Sequence, residues 1–192
     1  MMQKLWKFSA ISLLLAGSLC ARETILDMNL NDEDLEAGIS QVHNWSKNSK
    51  TFFGGGFLNG TDEYGKQHTM IHAEATHMGL TEVRGFMVGL GAKAIHATLD
   101  DSDAGAFALR GKLFYTLPVK VNTILSASYN YAPKPLSFAD LTRYSEARLE
   151  VNVEVIESGM VYGGWRTIDM EFDGGTDYNF NDALYLGIKV MF

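Results

Sequence analysis

Cysteine is nearly absent. Cys20 stands alone among 192 residues, and a single thiol cannot build an intrachain disulfide framework. Basic clusters are lacking too: 16 Lys+Arg face 23 Asp+Glu, for a formal net charge of −7. An acidic chain without a basic stripe lacks the electrostatic footprint of a nucleic-acid binder. Long apolar runs are missing, since no segment after the N-terminus approaches the roughly 20 consecutive apolar residues of a transmembrane helix. Disorder is excluded by content: 46% of the residues are hydrophobic and 11% aromatic, more than a chain that never packs would carry. The length fits one domain. A mean hydropathy of −0.04 reads as soluble, yet an average of this kind also arises when strands alternate between an apolar and a polar face.

What is present begins at the N-terminus. Lys4 and Lys7 precede the short apolar run Phe8–Ala16, followed by the small residues Ser18, Cys20 and Ala21. A basic head, a short apolar stretch and a small-residue site make a secretory signal peptide. Residues 1–21 are read as that signal, cleaved after Cys20 or Ala21. Leu19 disfavours the alternative of a lipoprotein signal, which wants a small residue before an acylated cysteine.

The rest of the chain reads with a period of two. Leu184, Leu186, Ile188, Val190 and Phe192 alternate with Ala183, Tyr185, Gly187, Lys189 and Met191. Ala147, Leu149, Val151, Val153 and Val155 alternate with Glu146, Arg148, Glu150, Asn152 and Glu154. The same holds around 67–78, 106–116 and 119–132, and 49–59, 84–99 and 158–172 are also strand-like. Alternate residues of a strand face opposite sides, so one face of each is apolar and the other polar. Short joins near 79–83, 116–119 and 157–159 are expected to alternate with longer polar loops near 60–66, 100–105, 133–142 and 173–181. That pattern belongs to transmembrane barrels, which must close because no unpaired backbone group can face lipid.

A soluble sandwich or lipocalin-like barrel would alternate as well. Against it stands the polar face, which mixes glycine, tyrosine and both charge signs as a tight barrel interior does. Residues 22–192 are therefore expected to form a closed antiparallel transmembrane β-barrel of eight to ten strands. Residues 24–42 are either a hairpin that completes ten strands, the reading preferred by a small margin, or a periplasmic segment beside eight. The expected location is the outer membrane of a Gram-negative bacterium. The apolar register Leu184, Leu186, Ile188, Val190 and Phe192 resembles the C-terminal signal of the barrel assembly machinery. That machinery and outer-membrane lipid are the partners expected.

The run Tyr129-Asn130-Tyr131-Ala132-Pro133-Lys134-Pro135-Leu136-Ser137-Phe138-Ala139-Asp140 resembles the YfaZ family of small exported bacterial proteins. The resemblance extends through 144–148, 153–157, 161–166 and 187–192, and to the opening 27–32. Its most specific element is the Ala-Pro-x-x-Leu-Ser-Phe loop. It implies an outer-membrane barrel and supplies no catalytic residues.

Placing the polar face inward gives a lumen charge network: Glu74, Arg110, Lys112, Lys120, Glu146, Arg148, Glu150, Glu154, Arg166 and Lys189. Opposite signs should pair across strands, because an unpaired buried charge is expensive. The bland consequence is a salt-bridged plug; the sharper one is a solute path. His68 and His72 are about 13 Å apart at roughly 3.3 Å per strand residue, too far to share a metal. No metal or cofactor is expected. His68, His96, Asp100, Asp101, Asp103, Ser102 and Ser137 offer ingredients of a rim hydrolase, but no spacing couples a nucleophile to its base, and no enzyme is expected. The acidic loop residues read as solvated. The external loop carries Pro133 with apolar Leu136 and Phe138, expected to cap the lumen or to touch a partner. Glycine pairs such as Gly163-Gly164 are expected where large neighbours need room. Tyr115, Tyr129, Tyr131, Tyr144, Trp165 and Phe192 fit interfacial girdles. The function expected is a structural or narrow-pore barrel, with a rim enzyme or a loop-binding module as the alternatives.

Overall fold

A computed structural model describes residues 23–61, 67–99 and 102–192. The expected signal peptide lies outside the described residues, as do Asp62, Glu63, Asp100 and Asp101. The strands are β1 (Glu23–Leu30), β2 (Asp34–Ser46), β3 (Ser49–Thr61), β4 (Gln67–Leu80), β5 (Phe86–Leu99), β6 (Ser102–Thr116), β7 (Thr123–Ala132), β8 (Ser137–Ala139), β9 (Leu141–Ile156), β10 (Gly159–Phe172) and β11 (Thr176–Met191). Among the described residues no helix is long and apolar enough to cross a membrane.

Ten strands close into a ring. Each pairs antiparallel with its neighbours in the chain, β7 meets β9 directly, and β1 meets β11 with Ile25 opposite Met191 and Leu30 opposite Leu186. Thr24 and Phe192 exchange backbone hydrogen bonds of 2.8 and 3.0 Å at the seam. Closure gives every wall strand a partner strand on both sides, the condition for standing in lipid. The three-residue β8 is not a wall strand. It is part of the connection after β7 and folds onto the start of β6 at Ala104–Ala106. Residues 23–46 are the first hairpin of the barrel.

The alternation governs which way side chains point. Leu90, Leu184 and Leu186 are 78%, 76% and 71% exposed, while Arg166, Glu146 and Asn130 are fully buried. A water-soluble fold shows the reverse, since charged residues are almost never fully buried unless paired. Register shifts occur near the strand ends, at 44–46, 159–160 and 171–172, and a bulge in β11 changes the parity within the wall. Asn181 pairs with Ile168 and Asn179 with Asp169, so Phe180 is the extra residue. Phe180 and Asn181 are adjacent in sequence, and both turn inward; a bulge allows this by inserting one residue.

The connections differ from expectation. Residues 102–105 and 176–181 are strand rather than loop. Turns of two residues occur at 47–48 and 157–158, but the same rim holds the longer 81–85 and 117–122. Short and long joins therefore do not alternate strictly. The rim with these four turns also holds both ends of the barrel and is called the terminal rim. The opposite rim holds 31–33, 133–140 and 173–175.

Two glycines set the inner surface. A Cβ on Gly187 would lie inside the Tyr162 ring, and one on Gly164 would lie 2.8 Å from the Tyr185 ring. Each glycine thus seats a tyrosine from the neighbouring strand flat against the wall. The two rings meet edge to face, with centroids 6.0 Å apart.

Candidate functional site

The lumen gathers most of the buried chemistry-bearing side chains of the described residues. It has three zones. Next to the opposite rim is an apolar plug. Leu58, Met70, Ala97, Ala104, Tyr144, Ile168, Met170 and Phe180 form one buried cluster with their neighbours, and Leu136, Phe172 and Tyr178 pack on it from the rim. These residues come from most of the wall strands, so the cluster crosses the lumen from side to side. Interiors pack densely, with few voids larger than a water molecule.

At mid-height two carboxylates organise the charges. Glu146 accepts from Lys93 Nζ at 2.6 Å, Tyr144 Oη at 2.6 Å, Asn130 Nδ2 at 3.0 Å and Arg148 Nε at 2.5 Å. Glu36 accepts a bidentate pair from Arg148 at 2.8 Å each, one bond from Arg166 Nη1 at 2.6 Å and one from Asn29 at 2.9 Å. Arg148 therefore ties β9 to β2 straight across the barrel. Arg166 also donates to Asn181 at 2.7 Å and lies 3.6 Å from Asp34. Asp34 accepts from Asn181 and is bonded to His68 Nε2 at 3.1 Å. Charges so enclosed are tolerable only because nearly every lone pair and proton has a partner.

Below this network, toward the terminal rim, lies a chamber of about 380 Å3. Its wall runs from Glu36, Lys93 and Arg148 down to Glu23, Thr116 and Met191 at the rim. No residue of the apolar plug lines it. Arg110 pairs with Glu74 at 2.7 Å, and Lys189 with Glu150 at 2.7 Å. Glu150 also accepts from Tyr185 at 3.0 Å, and Asp27 accepts from Tyr162.

The structure thus brings Glu74, Arg110, Lys112, Glu146, Arg148, Glu150, Arg166 and Lys189 into one lumen. Glu154 is half-buried at the terminal rim, where Asn122 donates to it at 2.7 Å. Lys120 is a correction. It is exposed on the turn 117–122, because β7 starts at Thr123 rather than at 119. Tyr144 is also a correction: it belongs to the lumen, not to a girdle, and is fully buried against Glu146. Leu136 caps the plug as expected, whereas Phe138 turns outward onto Phe107, with ring centroids 5.5 Å apart. Pro133 opens the short turn before them and accepts from Leu136 N at 2.8 Å. The apolar register of Leu184, Leu186, Ile188, Val190 and Phe192 faces outward throughout.

Sequence reasoning missed Asp27, Asn29, Asp34, Glu36 and Lys93 as lumen residues. For Glu36 a signal existed, because it alternates with Leu35 and Ala37. Of the residues named as ingredients of a rim hydrolase, Asp100 and Asp101 lie outside the described residues, and His68, His96 and Asp103 point to different faces. His68 faces the lumen, 4.2 Å from Phe180 between ring centroids, while His96 and Asp103 face outward. Two acidic residues at the opposite rim are shared with bases: Asp173 with Lys134 at 3.5 Å, and Asp177 with Arg143 at 3.7 Å.

An apolar exterior, a charged and hydrogen-bonded interior and a sheet without a free edge define an integral β-barrel of the outer membrane. The chain belongs to the YfaZ family: the model described as YfaZ precursor matches residues 2–192. No curated protein matches it. Among solved structures it is similar to the NanC porin, at 7% identity and a TM-score of 0.46, covering 88% of this chain and 98% of that one. It is similar to OmpT of Vibrio cholerae at 14% identity and a TM-score of 0.42, covering 83% of this chain. The match spans 56% of that OmpT's length. The outer membrane channel DcaP of Acinetobacter baumannii matches at 6% identity and a TM-score of 0.42, with 88% of this chain and 71% of that one covered.

Proposed function

We propose that the chain is a non-catalytic, structural outer-membrane barrel whose lumen is a blind chamber rather than a through-pore. The terminal rim is assigned to the periplasm, because it holds the two-residue turns 47–48 and 157–158 while the long connection 133–140 is at the opposite rim, and periplasmic turns are the short ones. The observation that carries the reading is the apolar plug, which crosses the lumen beside the opposite rim with Leu58, Met70, Tyr144 and Ile168 each fully buried. Ions would have to pass a dry, packed layer, and an apolar constriction is itself a barrier to them. The ion network beneath it supports the same reading, since Arg148 links opposite walls.

Planar-bilayer recording of the purified barrel tests this. Insertion is expected to leave the bilayer at its baseline conductance across about ±100 mV, the scale of membrane potentials. Steady ohmic steps from the unaltered protein would overturn the blind-chamber reading and favour a narrow pore.

A further inference from the structure

The periplasm-facing chamber is close to balanced in charge, with six cations against five carboxylates in its wall, but two of those cations have no carboxylate within ion-pair distance among the described residues. Glu74 is taken by Arg110, Glu150 and Asp27 share Lys189, and Glu36 is taken by Arg148 and Arg166. Lys112 lines the chamber, and among the described residues no carboxylate lies within ion-pair distance of its ammonium. Nζ instead sits 5.0 Å from the Phe114 ring centroid and 6.0 Å from that of Phe52. Lys50 enters the same chamber from β3, two residues from Phe52 on the inward face, also without a carboxylate partner among the described residues. Arg110, 5% exposed, spends Nη1 on Glu74 and Asn130 and leaves its buried Nε without any partner.

We infer that this chamber is a binding site for a small organic anion that carries an apolar group. The anionic end would meet Lys112 and Lys50. The apolar end would lie along Phe52, Phe114 and Met87, which line the same space. The pairing is chemically complementary, because a cation enclosed by low-dielectric walls gains most from an opposite charge that joins it there. The volume of about 380 Å3 falls within the roughly 300–1,000 Å3 of small-molecule pockets. The mouth at the terminal rim makes the source periplasmic. The inference rests on the blind-chamber reading.

The test uses the whole barrel in detergent, with 4-fluorobenzoate as the probe and 4-fluorobenzamide as its neutral match, both followed by fluorine NMR. The unaltered barrel is expected to bind the acid and not the amide. Lys112→Gln should weaken the acid about tenfold or more, the scale of a lost charge-assisted contact. Lys112→Arg should retain most of the binding, and Lys134→Gln, at the opposite rim, should change nothing. Lys112→Gln is also expected to leave the unfolding midpoint unchanged or raised, since it removes an unpaired charge; a lowered midpoint would mark Lys112 as structural and count against the site. Equal binding of acid and amide, or of unaltered and Lys112→Gln barrels, would overturn the inference, as would no binding at millimolar acid. Bilayer recording of the same preparation separates the two readings: a conducting barrel sinks the blind chamber, whereas a silent barrel that ignores the acid sinks the anion site alone.

Discussion

Single residues in this lumen matter through their partners. Glu146 is fully buried and takes four donors from β5, β7 and its own strand β9. Glu146→Gln keeps the shape but leaves Lys93 and part of Arg148 without a counter-charge. Breaking one side of a buried ion pair typically costs about 3–5 kcal/mol. The variant is therefore expected to unfold at distinctly lower urea in lipid vesicles, and an unchanged midpoint would show that the network does not stabilise the barrel. The residue scale is also where the sequence was partly opaque. Arg148 and Glu150 were legible because their neighbours Leu149 and Val151 are apolar. Lys93 was not, because its inward companions Ile95 and Ala97 are apolar while outward His96 is polar, so the alternation around it is scrambled. The physical cause is the plug: where the interior itself is apolar, both faces of a strand look alike.

Strands carry the membrane logic. On β11 the outward register Leu184, Leu186, Ile188 and Val190 is exposed, while Tyr185 turns inward and is 3% exposed. Leu184→Arg would put a charge on the lipid face. That costs about 2–4 kcal/mol at the bilayer midplane and falls to about 0–1 near the interfaces. Reversible unfolding in vesicles should register the loss, whereas Leu184→Phe should be nearly neutral; a tolerated arginine would mean that this face does not meet lipid. The long period-two segments were readable because most strands have one largely apolar face. Turn lengths were not readable, since polar residues such as Asp103 and Asn179 continue past the apolar belt as strand. The fate of Phe138 was equally hidden: a loop residue that packs on the outer wall differs from one that caps the lumen only in three dimensions.

For the whole molecule, closure follows from strand count and pairing, and strand count from the first hairpin, which the sequence left open between two readings. Ten strands enclose more room than eight. The chain fills one half of that room with Leu, Met, Ile, Phe and Tyr, crosses the middle with Glu36, Glu146, Arg148 and Arg166, and leaves the last part as a chamber. The zoning follows from where the polar alternation is kept and where it is lost. Its functional content is one-sided access, which single cysteines report in a Cys20→Ser background. Ser128 lines the chamber and Ala106 is buried in the plug. With a membrane-impermeant maleimide, Ser128→Cys should stay unlabelled on intact cells and become labelled once the periplasm is opened, while Ala106→Cys stays unlabelled in both. Labelling of Ser128→Cys on intact cells, or of folded Ala106→Cys from either side, would contradict a lumen sealed at the outer face.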